Sequence, residues 1–186
     1  MEKICTMSFL ELVRQRQSCR AFSQRPVPRE ALERCLEAAR LAPSACNSQP
    51  WLFHIVDEPA LRTRVAEVAF SGSFSMCSFA KSAPVLVVLQ TLRPKISARI
   101  GGWLRGVYYP AIDIGIAGEH FVLQATEEGL STLWLGWFSA RGVRKTLGLP
   151  RSARLDVLFA VGYAQDPALR ERVRKPLDDI RRYVSA

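Results

Sequence analysis

The sequence predicts an α+β fold, one sheet with helices packed on it. Three observations carry this. The chain has 186 residues, the length of one domain of about 100–200 residues, so a single domain is expected over 1–186. Its composition is 48 % hydrophobic and 23 % charged, close to the globular average of about 45–50 % and 25 %, which excludes disorder, collagen and coiled coil. The apolar pattern moves between helical and strand periods without strict alternation, in the order α-α-β-α-β-α-β-α-β plus a charged tail. Folding at this size buries roughly 70 % of the chain's surface, so a core needs no staple.

Ser8-Phe9-Leu10-Glu11 is a capping box, and a helix over about 9–17 follows it. Pro28 suits the first turn of a second helix, with Ala31, Leu32, Cys35, Leu36 and Ala39 on one face and Pro43 ending it. Trp51 to Val56 reads as a strand of bulky and β-branched residues, and Pro59 to Ala69 as a helix. Gly72 to Phe79 reads as irregular. Pro84 to Leu89 is a continuous apolar run, hence a strand covered on both faces. Thr91 to Arg105, basic and glycine-containing, reads as a loop. Tyr109 to Glu128 has the spacing of the longest helix, with Gly129 as its stop. Ser131 to Phe138 is a third strand, Ser139 caps a short helix to Leu147, and Leu155 to Tyr163 is a fourth strand. Asp166 to Ala186 is the tail.

Several chemistries are absent. The five cysteines (5, 19, 35, 46 and 77) are odd in number and lack Cys-x-x-Cys spacing, which disfavours disulfides and zinc and fits a reducing cytosol. His54 and His120 are too few for a histidine-rich metal site, and both read as structural, so no metal is expected. No dinucleotide fingerprint, P-loop, nucleophile elbow or metalloprotease helix occurs. No apolar run approaches the roughly 20 residues of a membrane span, and the first residues lack a secretory pattern. The unusual quantity is the charge. With 26 Lys and Arg against 17 Asp and Glu, the formal net charge is +9, which asks for an anionic partner. The basic residues are spread along the chain with no helix-turn-helix or RNP-like motif, so nucleic acid is not the expected partner.

Three segments stand out: Arg16-Gln17-Ser18-Cys19-Arg20-Ala21-Phe22, Ala42-Pro43-Ser44-Ala45-Cys46-Asn47-Ser48-Gln49-Pro50-Trp51, and Gly129-Leu130-Ser131-Thr132-Leu133-Trp134-Leu135-Gly136. Arg16, Ser18 and Arg20 alternate, so an extended segment puts two guanidiniums and a hydroxyl on one side, a set suited to a phosphate. Asn47 and Ser44 offer donors and acceptors on a loop after a helix. Gly136, at a strand end, lets backbone approach a ligand. In the tail, Arg172 and Arg174 share a side if the segment is extended, with Lys175 the alternative to Arg174.

In this order and spacing the segments resemble the nitroreductase family of FMN-dependent oxidoreductases, from about Phe9 to Tyr183. The resemblance implies that family's fold, a central, mostly antiparallel sheet of four to five strands with helices on both sides. It implies FMN as cofactor and NAD(P)H as co-substrate, with flavin N5 rather than a catalytic side chain carrying the chemistry in a ping-pong cycle. It places the FMN phosphate on Arg16, Ser18, Arg20, Arg172 and Arg174. Gln17, where the family commonly has a basic residue, is placed near a flavin carbonyl. By the same resemblance, Pro43, Ser44 and Asn47 are expected to contact the flavin, typically from the opposite subunit, and the turn at Leu135 and Gly136 to offer a backbone amide toward N5 and O4. Nitroaromatics, quinones or similar small molecules are the implied acceptors. A flavin-fragmenting or dehalogenating relative, or a non-catalytic flavin binder, is the alternative. The family is homodimeric with FMN at the interface, and Gly115, Ala117 and Gly118 are expected to allow close helix contact between subunits. From Val68 to Ile112 the chain has five basic residues and no acid, a stretch expected to lie near the roof of the site.

Overall fold

A computed structural model of the chain describes residues 7–185. Cys5 lies outside them. The capping box forms as read: the Ser8 hydroxyl accepts from the Glu11 amide at 3.3 Å, and the Glu11 carboxyl accepts from the Ser8 amide at 2.7 Å. The helix it starts, α1 (Phe9–Gln15), stops short of the expected residue 17 and buries none of its residues. Helix α2 (Arg29–Arg40) buries Ala31, Leu32, Cys35 and Ala39, the expected face. Strand β1 (Trp51–Val56) and helix α3 (Pro59–Ala69) fall where the sequence places them.

Among the described residues, β1, β2 (Val85–Thr91), β3 (Ser131–Leu135) and β4 (Arg154–Gly162) form one sheet in the order β1-β2-β4-β3, every pair antiparallel. β2 is central, and its side chains serve two cores. Val85, Val87 and Leu89 face α2 and the long helix α5 (Tyr109–Glu127). Leu86 and Val88 face the side of α3 and of α6 (Ala140–Thr146). Both faces are covered, which is why the strand reads as continuously apolar. Burial pushes the Cys35 thiol up to about 12, so it behaves as a small apolar residue of the α2 face. Gly129, at φ 71°, ends α5, and its amide bonds back to Thr126. The Ser139 hydroxyl caps α6 by accepting from the Gly142 amide at 3.2 Å.

Four expectations need correction. Gly72–Ser82 is 3-10 helical with a kink at Cys77 rather than irregular. Ile96–Arg105 is a helix, α4, not a loop. Its small residues are its packing face: Ala98 is buried, and a Cβ at Gly102 would lie 2.5 Å from the Val107 carbonyl oxygen. β3 ends at Leu135 because the chain then turns out to place Trp137 against Phe74. In α5, Ala117 and Gly118 point into their own subunit. A Cβ on Gly118 would lie 2.5 Å from the Trp134 ring, so this glycine makes room for a tryptophan, not for a second helix. A short helix, α7 (Leu177–Ile180), lies in the tail.

Candidate functional site

The segment after α1 is extended and pinned to the open edge of β3. Ser18 pairs with Thr132 in parallel, and the Cys19 amide donates to the Thr132 carbonyl at 2.9 Å. The tail folds back beside it. Gln17 Nε2 donates to the Ala168 carbonyl at 3.0 Å, while Gln17 Oε1 accepts from the Arg170 amide and Nε, each at 3.3 Å. Arg170 also donates to the Ser18 carbonyl. Between the two segments is a recess of about 280 Å3. Arg16, Gln17, Ser18 and Arg20 form one wall, and Arg170, Glu171, Arg172 and Arg174 the other. The six sequence-predicted residues from the two ends of the chain therefore meet in one place. Arg174 lines the recess and Lys175 does not.

Five guanidiniums against one carboxyl leave the recess strongly positive. Arg172 is committed to structure first: its Nη1 donates to the carbonyls of Val13 (3.1 Å) and Arg16 (2.7 Å), and its Nη2 to that of Arg14 (2.6 Å). These are carbonyls left unpaired at the C-terminal end of α1, so Arg172 locks tail to helix. Burial lowers the Arg172 pKa, and the like charges of Arg16 and Arg174 lower it further. A bound dianion would relieve that repulsion. Glu119 on α5 faces Arg16; burial raises its pKa, an effect that Arg16 and then His120 oppose.

Pro43, Ser44 and Asn47 are not part of the recess. They sit on a loop that packs against α4 and the N-terminal end of α5. This loop holds three non-glycine residues at positive φ: Cys46 (52°), Asn47 (50°) and Gln49 (47°). Such conformations cost about 1–3 kcal/mol each and persist where surroundings dictate them. Here the Ser44 hydroxyl accepts from the Gln49 amide (2.9 Å), Asn47 Oδ1 accepts from Gln49 Nε2 (2.7 Å), and Asp113 Oδ1 accepts from the Ala45 amide (3.0 Å). Asp113 is 2 % exposed, and its Oδ2 has no partner among the described residues.

Leu135 is buried in the core, so at the end of β3 it can offer a ligand only backbone. Gly136 is exposed, and a Cβ built there meets nothing within 4 Å, which leaves the space over its amide open. From Thr132, beside Ser18, to Gly136 is four residues of chain, roughly 13 Å at the usual rise of a strand. The basic recess and the open turn thus lie at two ends of one strand edge. FMN is likewise elongated, with phosphate and ring at opposite ends, so the residues present fit it.

Sequence reasoning missed Arg170, Glu171 and Asp113. Arg170 continues the every-other-residue pattern of Arg172 and Arg174. Asp113 is the first acid after Glu67 and sits within an apolar helical stripe. Both signals were readable. The histidines are structural as read: His54 Nε2 bonds Gln90 Oε1 at 2.8 Å, and His120 Nδ1 bonds the Ala38 carbonyl at 3.2 Å.

A sequence model described as the Nitroreductase family matches residues 13–163, more than half of the chain. The chain belongs to the nitroreductase family. This family member is similar to an NADH dehydrogenase of Thermus thermophilus, 30 % identical over 174 residues that cover 80 % of this chain and 82 % of that protein. It is also similar to iodotyrosine deiodinase 1 of Rattus norvegicus, 26 % identical over 198 residues, 94 % of this chain and 69 % of that protein. Among solved structures it resembles a nitroreductase family protein from Streptococcus pneumoniae TIGR4, with TM-score 0.77 and 26 % identity, covering 95 % of this chain and 100 % of that one. The antiparallel sheet with helices on both faces is therefore the fold of this nitroreductase-family chain.

Proposed function

We propose that the protein is an NAD(P)H-dependent flavin oxidoreductase that works by a ping-pong cycle. FMN, when bound, supplies a ring that takes hydride at N5 and passes electrons to a nitroaromatic, quinone or similar acceptor. The observation that carries this reading is the positive recess joining Arg16, Ser18 and Arg20 to Arg174, with Arg172 as its clamp. These residues hold the phosphate by charge-assisted hydrogen bonds. Arg170, fixed by Gln17 and Ser18, adds a fifth cation, so Gln17 acts as a brace within the recess as well as a donor near the flavin. The open amide at Gly136 orients the ring, and Leu135 anchors that turn in the core. Pro43, Ser44 and Asn47 complete the site from a second subunit, because their own loop stands away from the recess they would serve. Two identical sites form in such a homodimer.

Reductive dehalogenation is the second reading, favoured by the similarity to iodotyrosine deiodinase 1. The site lies in a reducing, cytoplasmic setting in this proposal, since Cys19, Cys35, Cys46 and Cys77 are all free thiols. No helix among the described residues is long and apolar enough to cross a membrane. The purified protein should show visible flavin absorbance and oxidise NAD(P)H when an acceptor is supplied. Product analysis with nitroaromatic, quinone and halotyrosine substrates separates the two readings. Replacing Arg20 with Ala should weaken FMN binding by about 1.5–3 kcal/mol, the worth of a charged hydrogen bond, as read by fluorescence titration. Absence of flavin absorbance even after FMN addition would defeat the reading.

A further inference from the structure

Helix α6 is electrostatically odd. Arg144 and Lys145 stand in its last turn, where the helix dipole favours cations. Arg141 stands in its first turn, where the dipole opposes one, and lies at i,i+3 and i,i+4 from the other two. Arg151 follows on the connection to β4. These four cations line one recess of about 730 Å3, together with Gly148 and Leu149, and no acidic side chain lines it. None of the four makes a salt bridge among the described residues. Arg144 is held in place, its Nη1 donating to the Ala153 carbonyl at 3.2 Å.

We propose that this recess is a second anion site, one that binds a small molecule carrying at least two phosphate charges. The recess has a volume within the range of about 300–1,000 Å3 usual for small-molecule sites. Arginine forks match phosphate oxygens in pairs, and an anion between the four cations cancels a repulsion that helix electrostatics does not explain. Leu149 gives an apolar wall for the rest of the ligand. The recess shares no residue with the one lined by Arg16 and Arg20. Its phosphates have two possible sources, the nicotinamide co-substrate or a separate phosphorylated metabolite.

The test is calorimetric titration of the FMN-loaded protein, near physiological salt, with pyrophosphate and with adenosine 2′,5′-bisphosphate. The comparison variant is the double substitution Arg141→Ala, Arg151→Ala, whose side chains are exposed. The unaltered protein should bind at one saturable site, and the variant about tenfold more weakly or worse, with a melting temperature no lower than that of the unaltered protein. Competition of either probe with NADPH, relieved in the variant, assigns the site to the co-substrate. Binding without competition assigns it to a separate metabolite. Lack of saturable binding, equal binding by the variant, or tighter binding of random-sequence duplex DNA than of pyrophosphate would overturn the proposal. The titration needs neither hydride nor acceptor, so its failure leaves the flavin reading untouched.

Discussion

Asp113 connects a buried side chain to a loop that the flavin reading depends on. Its Oδ1 takes the Ala45 amide at the start of a segment held at positive φ in three places. Hydrogen bonds within the loop (Gln49 to Ser44 and to Asn47) close it on itself, but the Asp113 bond ties it to α5. Replacing Asp113 with Ala leaves the Ala45 N–H without that acceptor, a loss of about 1–3 kcal/mol. Thermal melts should show the drop, and amide exchange at Ala45 should speed up. Asp113→Asn keeps an oxygen acceptor and should restore most of both. If Asp113→Ala exchanges at Ala45 no faster than the unaltered chain, the bond is not what holds the loop. At the same scale, Ser18 and Arg20 were legible because alternation in an extended segment is a simple pattern. The structural role of Arg172 was not, since no local pattern shows that a tail arginine will meet helix carbonyls some 156 residues earlier in the chain.

Elements with strong local signals were legible almost to the residue. α3 is an example: Pro59 sits in its first turn, and Glu58 caps it, accepting from the amides of Ala60 (2.9 Å) and Leu61 (2.6 Å). Those two backbone bonds, Ala60 first, hold the Glu58 carboxyl below its ordinary value. A depressed folded-state pKa contributes stability that is present above the unfolded value of 4.5 and is lost as pH falls through the folded value. Glu58→Ala should therefore melt a few degrees lower at neutral pH, and the difference should shrink on acidification below that value. A gap in melting temperature that stays constant down to about pH 3 would show that the cap does not act through its charge. α4 was read as loop for the opposite reason. Its inward face is made of Ala98 and Gly102, while Ile96, Ile100, Trp103 and Leu104 recur at helical spacing on the outside. Sequence patterning assumes that large apolar residues mark the buried face, and here that assumption is inverted.

That inversion belongs to the whole molecule. Trp103 is 81 % exposed and α1 buries nothing, yet Phe9, Leu10 and Val13 lie along it. The tail carries Val173, 93 % exposed, with Ile180, Tyr183 and Val184 also open to solvent. Large apolar side chains thus stand exposed on three elements, α1, α4 and the tail, and where such residues join into one patch they mark an interaction surface. A second copy of the chain would cover it and would bring loop 43–47 to the recess of its neighbour. Of the small residues of α5, Gly118 is filled by Trp134, while a Cβ at Gly115 would meet nothing within 4 Å. The dimer of the proposed function would use the exposed faces of α1, α4 and the tail. Sedimentation of the FMN-loaded protein should give a dimer with no dependence on salt, because apolar contacts are not screened. Trp103→Glu together with Ile100→Glu places charge on the α4 stripe and should shift the population to monomer. FMN affinity should fall with it, since each site would lose the loop that the other subunit supplies. A monomer that keeps FMN at undiminished affinity would refute both the interface and the shared site.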